Sequence, residues 1–258
     1  MRRMVKISTS RINLARKKSE RLVITALRKW FKLTNAKILS SIRTGLYKQE
    51  FGFIDWSWIE KEGIKILQPA MVKGYVGGRE LTIRGSFQVF DPRILERINE
   101  TCGLMIKDIT ERTRLAVVKQ IENGVREGYS AQKIANNLRP LVGLTENQAD
   151  SILNFRGWLQ EKHPEFNAAQ VEKKMNLYAD QTRNRRCEVI ARTETAQIQN
   201  TGYCDGLKDA GVTQVEIDPS PGCCEDCEAL RGRKYSLEEG AGVIPVHPQC
   251  RCCMLPVV

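Results

Sequence analysis

GCCEDCEALRGRKY, Gly222 to Tyr235, and VIPVHPQCRCC, Val243 to Cys253, hold six of the chain's nine cysteines and one of its two histidines. Cys224 and Cys227 make a CxxC, His247 and Cys250 an HxxC, and Cys252 adds a CxC. Two donors on one tight turn, closed by a second pair about twenty residues on, is a spacing that holds tetrahedral zinc. The set is overcomplete. Cys224, Cys227, His247 and Cys250 fill four places, and Cys252 competes for one of them. Cys223 would serve only by opening the knuckle, and Cys253 reads as packing or a spare thiol. The competing readings are disulfides, buried thiols or a redox CxxC. Redox motifs open a helix after a strand, whereas this CxxC follows the turn Pro219-Ser220-Pro221-Gly222. No apolar stretch follows the basic start of the chain, so a reducing compartment is expected. Thiols there serve metal sites more often than disulfides.

Around this centre the pattern predicts a small α+β, zinc-stapled C-terminal lobe, 186–258, with strands at Val212–Ile217, Val243–Val246 and Cys252–Val257. Upstream the periodicity is helical, which makes the chain mainly α. Residues 91–185 read as a helical bundle. Asp91-Pro92 opens a helix of about 35 residues, roughly 50 Å long. Its stripe is Ile94, Ile98, Cys102, Met105, Ile109, Ala116, Val117, Ile121 and Val125. Ser130 caps AQKIANNL, Thr145 with Gln148 forms a capping box, and Asn167 with Gln170 repeats the device before a fourth helix. His163 reads as a solvent residue in the connection. A further helix is expected from Arg183 to about Leu207.

Residues 1–90 read as a basic N-terminal helical region with a small hairpin. A tail over 1–11 is followed by a helix from about Arg11 to Ser40, striped by Leu14, Leu22, Ala26, Trp30, Leu33, Ile38 and Ile42. Asp55–Leu67 reads as a helix ended by Pro69, with Trp56 and Trp58 as core. Gly74, Gly77, Gly78 and Gly85 then mark an irregular segment, and Glu80–Phe90 the hairpin.

Charge is the second strong signal. The formal net charge is +11. Residues 1–50 hold 14 Lys and Arg against two acids, Glu20 and Glu50, and the rest holds 27 bases against 28 acids. Such asymmetry implies a polyanionic neighbour, nucleic acid or an acidic protein surface. Arg2, Arg3, Lys6, Arg11, Arg16, Lys17, Lys18 and Arg21 are the candidate contacts. The cysteine-rich segment is not basic enough to read DNA sequence. No run of residues approaches a membrane span.

Cys224-x-x-Cys227-x-x-Leu230-x-Gly232, then His247-Pro248-x-Cys250-Arg251-Cys252, resembles the C-terminal signature of the phage head morphogenesis family, the minor head proteins similar to the F protein of phage Mu. Ile190-Ala-Arg-Thr-Glu194, Asn200 and Gly202 are similar to its upstream signature, and Gly143–Leu159 resembles its helical lead-in. The likeness covers roughly residues 88–256. It implies a minor head protein of a tailed bacteriophage, present in few copies, associated with the portal and other head proteins. It places the protein in the virion, at the head interior or portal vertex, and in the host cytoplasm during assembly. Packaged DNA would be a neighbour of the basic N-terminus, and no membrane is involved. On this reading zinc is structural, the chain is not an enzyme, and Arg192 and Glu194 are structural anchors. The alternative is a zinc-supported nuclease or transferase acting on nucleic acid or protein, with Glu194 as its acid. Against it stand two histidines only and no HExxH, Walker loop or GxGxxG.

Overall fold

The computed structural model describes residues 7–48, 54–82 and 92–257. Among them are eight helices and three strands. In chain order these are α1 (Thr9–Lys48), α2 (Trp56–Arg79), α3 (Pro92–Arg126), α4 (Ala131–Leu138), α5 (Glu146–Lys162), α6 (Ala168–Asp209), β1 (Gln214–Asp218), α7 (Glu225–Glu228), β2 (Lys234–Ser236), α8 (Leu237–Val243) and β3 (Cys253–Val257). The chain is mainly helical with a small antiparallel sheet of order β2-β1-β3 near its C-terminal end. Packing divides it into two compact units. One draws on Met1–Leu27, Lys65–Cys102 and Glu188–Val258, the other on Arg28–Ile64 and Gly103–Cys187. The segments 1–90 and 91–185 are therefore each shared between the two units. The hairpin expected at Glu80–Phe90 falls, beyond Thr82, outside the described residues, as do Gly85, Asp91, Arg2, Arg3 and Lys6.

The second unit is built from locally specified helices. Ser130 accepts a hydrogen bond from the Lys133 amide at the start of α4, and Thr145 and Gln148 close a capping box on α5. Asn167 and Gln170 exchange reciprocal bonds of 2.9 and 3.0 Å before α6. Each device satisfies amide donors that a helix start leaves open. Trp30, fully buried, donates its indole N–H to the Ile59 carbonyl at 3.0 Å. Arg186, nearly buried, donates to the Gly143 carbonyl at 2.6 Å, and burial pulls its guanidinium down to about 10. Trp56 and Trp58 are half-buried rather than core, and Ile54 and Ile59 fill that role. Within α3, Ile98, Cys102, Met105, Ile109, Ala116 and Val117 are buried, but the stripe runs out at Val125, which is exposed.

In the first unit, α2 continues through Pro69 and through the glycines expected to break it. The reason is tertiary. A Cβ on Gly78 would lie 2.1 Å from the Gln199 carbonyl oxygen, and one on Gly202 would lie 2.1 Å from that of Tyr75. The two backbones pass so closely that only glycine fits. The packing offsets the roughly 1 kcal/mol that each interior glycine costs a helix. The helix expected after Asn167 and the one expected from Arg183 are a single helix, α6, of 42 residues. It ends at Asp209, and Gly211, at φ 81°, lets the Val212 amide turn back to the Leu207 carbonyl.

Helix α1 starts earlier and ends later than its pattern indicates, and in the first unit its stripe is displaced. Leu14 and Leu22 are 58% and 41% exposed, while Ile12, Arg16, Ser19, Val23 and Leu27 are buried. Those five lie at steps of three and four and form one face. Arg16 is wholly buried and so does not belong to the exposed basic face; Arg11, Lys17, Lys18 and Arg21 do.

Candidate metal centre

The lobe that carries the cysteines is small. Its strands have five, three and five residues. Val215 pairs with Tyr235 on one side and with Pro256 on the other, and Ile217 with Met254. Val215, Ile217 and Met254 enter a core with Leu207, Val212, Ile244 and five cysteines, Cys204, Cys227, Cys250, Cys252 and Cys253. Val243–Val246 is not a strand. Val243 closes α8, which the Ser236–Glu239 capping box starts. That box is written in the sequence as Ser-x-x-Glu and is missed when the segment is read only for strand.

Two tight turns present the donors. After Gly222, at φ 70°, α7 begins with Cys224 at its N-cap, and the Glu228 amide returns to the Cys224 carbonyl at 2.9 Å. This single helical turn brings Cys224 and Cys227 to one side. In the second turn the Cys250 amide bonds the His247 carbonyl at 3.1 Å, with Gln249 at φ 68°.

The turns face each other. His247 Nε2 lies 3.3 Å from both the Cys224 and Cys227 sulfurs, and the Cys227 and Cys250 sulfurs are 3.8 Å apart. The donor atoms fall into two triads, Cys224–Cys227–His247 and Cys227–Cys250–Cys252, each within 4.8 Å, and Cys227 belongs to both. Cys227, Cys250 and Cys252 are buried, His247 is half-buried and Cys224 is exposed. The cluster can hold a metal ion. Edges of tetrahedral zinc–thiolate and zinc–imidazole sites are about 3.8 Å between sulfurs and about 3.5 Å from sulfur to nitrogen, close to the spacings here.

Electrostatics and orientation agree with a ligand role. His247 Nδ1 lies 2.9 Å from the Pro248 carbonyl, so its N–H donates there and Nε2 is left as the lone-pair nitrogen facing the sulfurs. That carbonyl also raises the imidazole pKa. The Cys224 thiol is lowered, chiefly by a backbone hydrogen bond from Cys227. Burial pushes the Cys227 and Cys252 thiols up. Burial opposes ionisation of Cys250 as well, but backbone hydrogen bonds from Cys252 and Val246 outweigh it and the thiol is lowered.

The surrounding helices hold the second turn. From α6, Arg192 donates to the Gln249 side-chain oxygen, Thr193 accepts the Gln249 amide at 3.3 Å, and Asn200 donates to the Ile244 carbonyl at 2.8 Å. From α1, Arg16 donates to the Cys252 carbonyl and to Asn200, both at 3.0 Å, and to Gln199 at 3.3 Å. Glu20 takes Arg251 at 2.6 Å. Arg192 thus touches the turn that carries His247 and Cys250. Glu194 lies where its charge, after burial, helps push the Cys102 thiol up to about 12. Cys253 is fully buried, 3.8 Å from the Asn13 side-chain oxygen, and Cys223 donates to Glu228 at 3.2 Å. His163 stacks on Phe166 at 4.7 Å and meets Glu165 at 3.0 Å, both at the surface.

Arg16 and Gln199 are the contacts that charge counting overlooks. Arg16 sits in line with Ile12, Ser19 and Val23, and that register was the available signal. Among the described residues no helix is long and apolar enough to cross a membrane. No family model matches the chain, and neither a curated protein nor a solved structure proves similar to it.

Proposed function

We propose that this chain is a structural minor head protein of the phage head morphogenesis class, acting at the portal vertex, with a lobe stapled by one zinc ion. One observation carries the reading. Arg192 and Thr193, from the stretch that resembles the family's upstream signature, grip Gln249 in the turn that resembles its C-terminal one. Both stretches serve a single piece of scaffolding, and Arg192 is spent on holding a turn in place. Cys224, Cys227 and His247 would bind the metal with Cys250, which lies 3.8 Å from Cys227, as the fourth donor and Cys252 as its competitor. Zinc so held by four protein donors supplies folding energy and leaves no position for a reacting water. A sheet of three short strands has too little apolar area to stand alone. The exposed basic face of α1 would meet an acidic or polyanionic neighbour inside the assembly.

Elemental analysis of protein purified without added metal tests the first half, with about one zinc per chain expected. Quantifying the protein in purified virions tests the second, with a few copies per particle expected. Absence of metal, together with a lobe that withstands chelation, overturns the zinc staple. A nuclease or transferase activity that disappears in a well-folded Arg192→Ala or Glu194→Ala variant would replace the structural reading with an enzymatic one.

A further inference from the structure

Between the first turns of α1 and the last turns of α2 lies an open groove of about 570 Å³. Arg11, Leu14, Lys18 and Leu22 line one wall, following each other at steps of three and four residues on a single face of α1. Lys73 and Gly77 contribute from α2. The groove is neither core nor a plain charged face. Leu14 and Leu22 are 58% and 41% exposed, and each stands beside an exposed base. Three bases meet one acid, Glu80, in the lining. Gly77 has ordinary helical geometry, and a Cβ there would touch only the Ser19 hydroxyl, at 3.6 Å. Unlike Gly78, it is not required by the crossing with α6. A side chain at 77 would instead occupy the floor of the groove.

We infer that this groove docks an acidic amphipathic helix from a partner protein. Both walls are helices, so no strand edge offers unpaired amides for an added strand, and exposed leucines spaced along one helix face beside bases match a helix laid in a groove. Arg11 to Leu22 covers roughly 16 Å, so the occupant needs about three turns. Its apolar residues would meet Leu14 and Leu22, and carboxylates beside them would meet Arg11, Lys18 and Lys73. Duplex DNA answers the charge but not the leucines, because phosphates gain nothing from apolar side chains between the bases. The inference goes beyond the structural role proposed above and does not depend on the metal centre.

The test uses the full chain and a fluorescent synthetic helix with leucines at i, i+4 and i+7 and glutamates elsewhere. The same helix with lysines for glutamates and a short DNA duplex serve as controls. Saturable binding of the acidic helix is expected, weakened at least tenfold in Leu14→Ser/Leu22→Ser, in Lys18→Glu and in Gly77→Met, which fills the groove without touching charge. Circular dichroism checks the fold of each variant, and both leucines are exposed enough to be replaced without loss of core. The inference is overturned if the acidic helix does not bind or the lysine helix binds equally well. It is overturned too if duplex binding falls in Lys18→Glu but not in the leucine variant, while the acidic helix ignores both. Self-association abolished by Leu22→Ser, with no peptide binding, would give the groove to a second copy instead.

Discussion

The unit containing Gly103–Cys187 and the lobe containing Cys224–Cys253 solve the same problem by different means. The former has long helices whose starts are each closed by a neighbour in sequence: Ser130 with Lys133, Thr145 with Gln148, Asn167 with Gln170. Its core is aliphatic, with Leu141, Leu144, Ile152 and Met175 among its members. The lobe has strands of three to five residues, a core in which five cysteines replace aliphatics, and turns held by residues tens to hundreds of positions away. A fold that can bury apolar stripes needs only local cues to set its elements. A fold too small for that relies on a few irreplaceable polar partners, so damage to it should be concentrated rather than graded.

The sharpest break is Cys227→Ser. Cys227 alone belongs to both donor triads. Its loss should abolish metal binding and unfold the lobe, seen as complete loss of bound metal and of hydrogen-exchange protection over 214–257. Protection over 103–187 should persist. Cys253→Ser, outside the triads, should keep its metal. Next in size is Arg16→Met, which strands Gln199, Asn200 and the Cys252 carbonyl. A loss of about 3 kcal/mol in denaturant unfolding is expected, while Lys17→Met, one residue on and exposed, should change stability by less than about 0.5 kcal/mol.

Glycines sharpen the contrast within helices. Gly78→Ala should cost about 2 to 3 kcal/mol, because the Gln199 carbonyl must move away. Gly103→Ala, with nothing within 4 Å of the new methyl, should stabilise by about 0.5 to 1 kcal/mol. Both are read from chemical denaturation. A smaller loss than that of Gly78→Ala is expected for Thr145→Ala, about 1 kcal/mol, since one cap among several is removed. If Thr145→Ala proved as damaging as Cys227→Ser, the division between distributed and concentrated stability would fail.

The same contrast explains what could be read in advance. Caps and boxes are short-range chemistry, so the starts of α4, α5 and α6 were legible in Ser130, Thr145 and Asn167. The clustering was legible because a spacing suited to chelation is written in Cys224, Cys227, His247 and Cys250, and the fold brings these residues together. The register of α1 was not, because its buried face includes an arginine and a serine that only long-range partners explain. Gly78 looked like a breaker because the force overriding it comes from α6, more than a hundred residues away. Val243–Val246 has strand-like composition, yet Val243 ends the helix that the Ser236–Glu239 box starts, and 244–246 form no strand.

The bond from Arg16 to the Cys252 carbonyl joins residues 236 positions apart in sequence. During synthesis, at about 5 to 20 residues per second, Arg16 waits roughly 10 to 50 s for that partner to leave the ribosome. Until then α1 carries a guanidinium on a face otherwise suited to burial, and the lobe cannot close. A stretch made later therefore completes the packing of a helix made earlier. A nascent chain stalled before residue 252 would lack the carbonyl that Arg16 bonds.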